Sequence, residues 1–392
     1  MKHAFNQADR MANAPLSKIR DIIEKSLAYE KAGHDVIHLE IGEPDFDTPK
    51  NITLSAIDAL NNNDVHYGPV MGKVSLRESI AKKYQQQYGL TYTANEIMIT
   101  QGVAHGIFLA MMAYLNPGDE ILVPDPGYLC YFTVPEIAGA KAISYSLNAS
   151  QGYQVDTALL EALITPKTRM ILVNSPANPS GSVLDEHSLM AIAQLAIKHN
   201  LLVVTDDIYA DILFEGEFST IAMLPDMRER TIVLNGFSKY YAMTGWRIGY
   251  LLCPQTLIDP LMRLSFYSIA CPVSFIQTAA ETALNSNDDA SRAMVAEYRR
   301  RRDFLYQQLN TLPGCRCQKP AGTFYIMLNI EGTGMTSEAF CQYILETCYV
   351  TLVPGTVFGA KGEGYVRLSY ATSMENLKIA IDRMSQALLL IR

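Results

Sequence analysis

Lys239 is the residue of this sequence with the clearest potential for chemistry. It lies in "NGFSKYYAMTGWRIGY", residues 235 to 250, directly after the apolar run "TIVLNGF" and among aromatic and small residues. A lysine placed there is partly desolvated, and desolvation lowers the pKa of an amine and makes it a nucleophile. The alternative interpretation is a surface lysine in a loop, and other residues of the sequence are needed to distinguish it from a nucleophile.

Three other polar positions follow apolar runs. Gly102, in "TQGVAHG", precedes a helical segment, so the free N–H groups of Val103 and Ala104 favour a phosphate, although many such glycines serve only turn geometry. Asp206 ends the run "LLVVTD", where we expect a buried carboxylate that needs a cationic partner or caps a helix. Asn178, in "NSPANPSG", has the setting of a turn residue. Each signal is weak on its own.

Short apolar runs that alternate with helical segments must position these residues. From about residue 50 to residue 285, runs such as "EIMIT", "EILVP", "RMILVN" and "LLVVTD" predict βα units and a mostly parallel sheet. Ligands of such sheets bind outside the carboxyl ends of the strands, so Gly102, Asn178, Asp206 and Lys239 should meet at one edge. A ligand with a phosphate, a ring nitrogen, a phenolate and an aldehyde would use all four, which favours pyridoxal phosphate.

The same pattern of elements predicts the division of the chain into domains. We expect an N-terminal arm and part of a small domain in residues 1–48, a large cofactor-binding domain in 49–285 and a small α+β domain in 286–392. A long helix, "DDASRAMVAEYRRRRDFLYQQLNTL", leads into the last part, and its four arginines predict a solvated face.

Composition and charge limit the kinds of partner and binding site that we expect. The 392 residues carry a formal net charge of -8 with dispersed cations, which argues against nucleic acid or an anionic membrane as partner. Seven scattered cysteines lack a pairing framework, and Cys315 and Cys317 lack a second ligand pair, so no metal site is expected. With no secretory leader pattern and no long apolar stretch, we expect a soluble, cytoplasmic protein that acts on small molecules.

The motifs together resemble the class I and II aminotransferases of pyridoxal phosphate fold type I, in particular their bacterial aspartate-aminotransferase-like branch. The resemblance rests on "IGEPDFDTP", "NSPANPSG", "TDDIYAD", "SK…MTGWRIGY" and "GYVRLSYA", which occur in the family's order over nearly the whole chain. It implies a large domain with a mostly parallel seven-stranded sheet flanked by helices, plus a smaller α+β domain.

The resemblance assigns a role to each cofactor contact. Lys239 would form the Schiff base and carry the proton, Asp206 would pair with the ring nitrogen, and Tyr128 would stack on the ring. Tyr209 and Asn178 would hydrogen-bond the ring oxygen. The phosphate would be held by Gly102, Val103, Ala104, Ser238 and Arg247, and by Tyr67 reaching across to a neighbouring subunit, so the resemblance implies a homodimer with shared sites.

For the substrate, the resemblance implies that Arg367 binds the α-carboxylate with support from Gly42 and Asn178. The function expected is transfer of an amino group from an L-amino acid to a 2-oxo acid, with 2-oxoglutarate as the expected acceptor. The alternatives are a lyase or cyclising enzyme of the same fold, which shares the cofactor contacts, and a ligand-sensing regulator. Lys18 and Arg20 could receive a second carboxylate, but exposed helix charges are the simpler interpretation.

Overall fold

The computed structural model describes residues 6–14 and 18–390, so residues 1–5 and 15–17 of the predicted N-terminal arm lie outside the described residues. Its helices are α1 (Lys18–Lys31), α2 (Lys50–Asn61), α3 (Val74–Tyr88), α4 (Val103–Tyr114), α5 (Cys130–Ile137), α6 (Thr157–Ala162), α7 (Glu186–Lys198), α8 (Gln255–Ile269), α9 (Ser274–Asn285), α10 (Asp289–Leu309), α11 (Ser337–Cys348) and α12 (Met374–Leu388). Its strands are β1 (Ile37–His38), β2 (Ile97–Thr100), β3 (Glu120–Asp125), β4 (Lys141–Asn148), β5 (Gln154–Val155), β6 (Thr168–Asn174), β7 (Leu202–Asp206), β8 (Thr231–Gly236), β9 (Gly249–Leu252), β10 (Arg316–Cys317), β11 (Tyr325–Asn329), β12 (Val350–Thr351), β13 (Val353–Pro354) and β14 (Tyr365–Ser369).

The large sheet has the strand order β2-β9-β8-β7-β6-β3-β4-β5. Its inner neighbours from β8 to β4 are parallel, and β9 is antiparallel to both β2 and β8. The two-residue β5 pairs antiparallel with β4 at the far edge and extends the seven predicted strands by one. The mostly parallel α/β fold predicted from the sequence is confirmed.

Helices cover both faces of this sheet, which explains why its strands are almost continuously apolar. Successive residues of a strand point to opposite faces, and in β8 the buried Val233 packs with Ile80 of α3 on one face. Its neighbour Leu234 packs with Ile107 of α4 on the other face. The strand ends are therefore fixed by a core on each side.

A smaller unit contains the four-stranded antiparallel sheet β10-β11-β14-β13 and the parallel pair β1-β12. Its core includes Phe324, Leu328 and Ile344, together with Ile37 from the N-terminal part of the chain. Since β1 pairs with β12, the segment before residue 48 contributes a strand to this unit. The domain boundaries at 48/49 and 285/286 stay predictions.

The predicted solvated face of α10 is wrong for half of its arginine run. Arg300 is exposed, but Arg301 and Arg302 are buried. Arg301 Nη1 donates to Asp45 Oδ1 at 2.8 Å, and Arg302 Nη1 donates to the Pro320 carbonyl oxygen at 2.9 Å. Asp45 lies 256 positions from Arg301 and Pro320 lies 18 positions from Arg302, and these partners allow the two guanidinium groups to be buried.

Two kinds of feature are not found among residues 6–14 and 18–390. None of the helices there combines the length and apolar character that crossing a bilayer requires. In the same residues, no three or more His, Cys, Asp and Glu side chains are grouped so that they could hold a metal ion.

Candidate active site

Five strands of the large sheet end at the same edge because they run in the same direction. The segments that follow β2, β3, β6 and β8, with the last residue of β7, line a cavity of about 380 Å³. Segments from the smaller unit and from α1 close the other side. The predicted residues that line it are Gly42, Val103, Ala104, Tyr128, Asn178, Asp206, Tyr209, Ser238, Lys239, Arg247 and Arg367.

Lys239 lies three residues after β8 and points into this cavity. Its Nζ donates to the Gly42 carbonyl oxygen at 2.6 Å and lies 5.7 Å from the centre of the Phe324 ring. Burial, helped by the charges of Arg367 and Arg247, lowers the pKa of Lys239 to about 8. The amine is therefore partly neutral near neutral pH, as a nucleophile requires.

Asp206 is the buried last residue of β7. The Tyr131 hydroxyl donates to its Oδ2 at 2.7 Å, and the Ile208 N–H donates to its Oδ1 at 3.2 Å. A hydroxyl and an amide are thus its protein hydrogen-bond partners, and the cationic partner expected from the sequence stays a prediction. Burial raises the pKa of Asp206 to about 6, while Lys239 opposes the rise. The Asp206 carboxyl group is therefore mostly ionised at neutral pH, and it lines the cavity.

The loop between β2 and α4 forms an anion-binding arrangement. Gly102 has φ +79° and turns the chain so that α4 begins at Val103. A Cβ at residue 102 would lie 2.8 Å from Nη2 of Arg247, so glycine lets this guanidinium lie against the loop. Ser238 also lines the cavity. Helix N–H groups, a hydroxyl and an arginine together match the chemistry of a phosphate.

Three glycines stack backbone against backbone between Lys239 and this loop. A Cβ at Gly236 would lie 2.9 Å from Cα of Gly249, and a Cβ at Gly249 would lie 2.9 Å from the carbonyl carbon of Gly102. Gly236 ends β8, and Gly249 begins β9. The spacing between the lysine loop and the α4 loop is thus set by main-chain contact.

Arg367 lies on β14 and is almost fully buried. Its Nη1 donates to Asn178 Oδ1 at 3.1 Å, and its Nη2 donates to the Glu40 carbonyl oxygen at 2.7 Å. Its guanidinium carbon lies 4.4 Å from the centre of the Tyr325 ring and 4.7 Å from that of Phe358. Nε has no partner among the described residues. Among residues 6–14 and 18–390 no carboxylate forms an ion pair with this guanidinium, whose position at the cavity suits the capture of a carboxylate ligand.

Tyr209 and Asn178, the two residues predicted to hydrogen-bond the oxygen of the cofactor ring, form hydrogen bonds with neighbouring side chains. The Tyr209 hydroxyl donates to the Tyr325 hydroxyl at 3.0 Å, and Asn178 contacts Arg367. Gly42 is required here, because a Cβ would lie 2.8 Å from the Tyr325 hydroxyl. Asn178 and Tyr209 are thereby linked to the smaller unit.

Tyr67 behaves differently from the other predicted residues. Its side chain is 91% exposed, and it is not among the residues that line the cavity of its own chain. This position is compatible with a contact outside its own subunit and leaves that contact a prediction.

The sequence analysis missed several residues that complete the site. Tyr131 bonds Asp206, Tyr325 bonds Tyr209, and the Asn174 side chain donates to the Asp206 carbonyl oxygen at 2.8 Å. Tyr131 lies three residues after Tyr128, close to one helical turn, which was an available signal. Tyr325 offered none, because its partner is 116 positions away.

Comparison with known proteins identifies the family that this fold and site define. The model of "Aminotransferase class I and II" matches residues 34–384, and the chain belongs to this family, as its motifs predicted. It is a transaminase of the type that uses pyridoxal phosphate.

Individual relatives agree over nearly the whole length. The chain is 38% identical to "Aromatic-amino-acid aminotransferase 2" of Thermococcus litoralis, covering 97% of this chain and 98% of that one. It is 39% identical to "Aspartate aminotransferase" of Pyrococcus abyssi, with the same coverage. The solved aspartate aminotransferase of Rhizobium meliloti superposes with a TM-score of 0.96 at 35% identity, covering 99% of this chain and 100% of that one. The names of these relatives differ in substrate.

Proposed function

We propose that the protein transfers an amino group from an L-amino acid to a 2-oxo acid with pyridoxal phosphate held at Lys239. The observation that carries the proposal is the buried Lys239 amine, whose pKa is lowered to about 8, in one cavity with the Asp206 carboxylate and Arg367. The resemblance suggests 2-oxoglutarate as the acceptor, and pyruvate is the second acceptor to be tested beside it.

The residues present fit this cofactor in type and position. The N–H groups of the first turn of α4, Ser238 and Arg247 would hold its phosphate. Asp206 would hold its ring nitrogen, and Asn178 and Tyr209 its ring oxygen. Tyr128, which also lines the cavity, would pack on the ring. When bound, the cofactor supplies an electron sink that makes the α-hydrogen of an amino acid acidic.

The chain's own groups would then orient the substrate and move its proton. Arg367 binds the α-carboxylate, because its position is fixed by Asn178, the Glu40 carbonyl and two aromatic faces. Lys239 Nζ would accept the proton from the substrate Cα and deliver it to the cofactor carbon that carried the aldehyde, and a base with a pKa of about 8 suits this exchange near neutral pH. Asp206, which is buried, would keep the ring nitrogen protonated.

The test replaces Lys239 by alanine. We expect transamination to fall by at least the roughly 10²–10⁴-fold that a general base contributes, with loss of the covalent cofactor absorbance. Lys198→Ala is the matched control, since that side chain is 64% exposed on α7 and pairs with Glu161. An unchanged rate in Lys239→Ala would contradict the proposal.

The same preparation separates transamination from a lyase or cyclising reaction of this fold. Incubation with an amino acid and no oxo acid should convert the cofactor once and stop. Continued release of ammonia or of a cyclic product would support the alternative.

We further propose that the protein is a homodimer with Tyr67 reaching the phosphate site of the neighbouring subunit. Support comes from exposed apolar side chains on α2, on the segment after it and on α8, among them Leu54, Val65 and Phe266. Light scattering should give twice the chain mass, and Tyr67→Phe should weaken cofactor binding without changing that mass. A monomer with full activity would refute this assembly.

A further inference from the structure

The peptide groups of Gln101 are held from both sides immediately before the anion-binding loop. The Gln101 carbonyl oxygen accepts from Nη2 of Arg247 at 3.5 Å, and the Gln101 N–H donates to Nδ1 of His105 at 3.2 Å. Gln101 directly precedes Gly102, after which α4 begins at Val103. The orientation of this backbone therefore affects both the arginine and the helix N–H groups that would bind a phosphate.

Hydrogen bonds at both ring nitrogens fix the position of the proton on His105. The Gln101 N–H can only donate, so Nδ1 of His105 has to accept and carries no proton. The Ser268 hydroxyl donates its single proton to the Ser265 carbonyl oxygen at 3.0 Å, so its oxygen has to accept from Nε2 of His105 at 3.2 Å. Both contacts require the same neutral tautomer, with the proton on Nε2.

Burial favours this neutral form of the ring. His105 is half-buried, and desolvation lowers its pKa from the usual 6.5. A doubly protonated ring would donate from both nitrogens and could no longer accept from Gln101. His105 is not among the residues that line the cavity, so its side chain would act on a bound anion through the backbone of Gln101.

We propose that His105 is a positioning residue of the phosphate site, a neutral acceptor that holds the backbone of Gln101 between Arg247 and the start of α4. The inference rests on the proposed function and deepens it, because it adds a residue outside the cavity to the binding of the cofactor phosphate. Without this acceptor, the Gln101 N–H would hydrogen-bond to water and the loop would lose its fixed orientation. Binding of a phosphate would then have to order the loop as well, which weakens it.

Two substitutions separate the functions of the two ring nitrogens. In His105→Asn the side-chain amide oxygen can take the place of Nδ1 and accept from the Gln101 N–H. In His105→Gln the amide nitrogen can take the place of Nε2 and donate to Ser268. Both residues are compatible with a helix. His187→Asn is the matched control, because His187 is an exposed histidine in the first turn of α7.

The experiment titrates the apoprotein with pyridoxal phosphate and, separately, with pyridoxal, which lacks the phosphate, and follows the absorbance of the bound ligand. We expect His105→Gln to weaken the binding of pyridoxal phosphate by about threefold to twelvefold, as loss of one neutral hydrogen bond would, and to leave pyridoxal unchanged. His105→Asn and His187→Asn should bind both ligands within about twofold of the wild type.

The outcomes separate this inference from the proposed function. Wild-type affinity for pyridoxal phosphate in His105→Gln would overturn the inference and leave transamination standing. Equal weakening in both His105 variants, or equal weakening for both ligands, would also overturn it, since either result would assign the effect to packing of the ring. Failure of the wild-type apoprotein to bind pyridoxal phosphate would overturn the proposed function and the inference with it.

The proton on the ring can be observed directly. Nitrogen NMR spectra of the labelled protein distinguish the two tautomers and the charged ring, and the resonances that disappear in His105→Asn belong to His105. We expect these resonances to show a neutral ring with its proton on Nε2 at neutral pH, in the apoprotein and in the holoenzyme. A proton on Nδ1, in either a neutral or a charged ring, would overturn the inference.

Discussion

Arg247 and Arg367 line the same cavity, but they differ in burial and in the kind of element that carries them. Both direct their hydrogen bonds to neutral oxygens, Arg247 to the Thr244 carbonyl at 3.0 Å and Arg367 to Asn178 and the Glu40 carbonyl. Arg247 lies on a loop with φ +53° and is exposed, whereas Arg367 is on a strand and 3% exposed. Each keeps its charge available for an anion.

The difference separates two ways of binding an anion. Arg367 is desolvated before the ligand arrives, which lowers its pKa, and its position between two rings is already fixed. A carboxylate that replaces the lost water gains strongly there. Arg247 remains hydrated and gains less per contact, so its site depends on the helix N–H groups beside it.

Removal of the buried arginine should have the largest effect. In Arg367→Ala we expect kcat/KM to fall roughly 30- to 5,000-fold, from the about 2–5 kcal/mol that a buried charged contact contributes. The loss should be similar for every donor, since all share the α-carboxylate. Cofactor absorbance should be unchanged, and a loss confined to one donor would contradict the role given to Arg367.

Removal of the exposed arginine should act on the cofactor instead. In Arg247→Ala we expect the dissociation constant of pyridoxal phosphate to rise roughly 10- to 150-fold, from the about 1.5–3 kcal/mol of a hydrogen bond to a charged group. Titration of the apoprotein measures it. At saturating cofactor, KM for the amino acid should stay near the wild-type value, and a rise in KM alone would break the comparison.

Salt concentration should change the ligand affinities of the two arginine sites to different extents, with smaller effects than the two substitutions. Between about 0.01 M and about 1 M salt the Debye length falls from about 30 Å to about 3 Å, so exposed charges are screened and buried ones much less. We expect cofactor affinity to weaken several-fold over this range. The affinity of the holoenzyme for 3-phenylpropanoate, a probe that presents one carboxylate to Arg367, should change less at constant cofactor occupancy. Equal salt dependence would argue that Arg367 is as hydrated as Arg247.

The smallest effect concerns the support beneath Arg367. The hydrogen bond to Glu40, with help from Glu30, raises the pKa of His38 from 6.5 to about 9. A raised pKa in the folded state stabilises the protein fully below pH 6.5, and that contribution is lost as the pH rises through about 9.

Urea unfolding of the wild type and of His38→Gln should therefore give a difference in unfolding free energy that shrinks between these two pH values. Arg247 Nη2 donates to the Gln101 carbonyl oxygen, and His105 accepts from the Gln101 N–H at 3.2 Å. Burial lowers the pKa of His105 below its usual 6.5, so Arg247→Ala should give a difference that changes little over the same interval. A constant difference for His38→Gln would refute the linkage.

The strand-end residues were predictable because the large sheet is simple to recognise. Apolar runs end at Gly236, Asp206 and shortly before Gly102, and parallel strands necessarily bring such ends to one edge. Local sequence was sufficient there, since each residue's place follows from its own strand. The family motifs added Arg367, which no local pattern marks as part of the cavity.

The remaining residues depend on packing between distant segments. Tyr325 reaches Tyr209, and Arg301 is buried because Asp45, 256 positions earlier, supplies its partner. A run of four arginines looks solvated from composition alone, and only the loop that packs on α10 changes this. Ile19 and Ile41 also escaped prediction, because they reach the same cavity from different elements.

The glycine stack at residues 102, 236 and 249 has a consequence for how this protein can change. A single added methyl group at residue 236 or 249 would press apart the two loops that hold opposite ends of one cofactor. In a saturation library selected for transaminase activity, we expect the codons of Gly236 and Gly249 to tolerate no replacement, while the codon of the exposed Leu27 on α1 tolerates many. Selection would therefore keep the distance between these two loops constant while the surface of the protein varies.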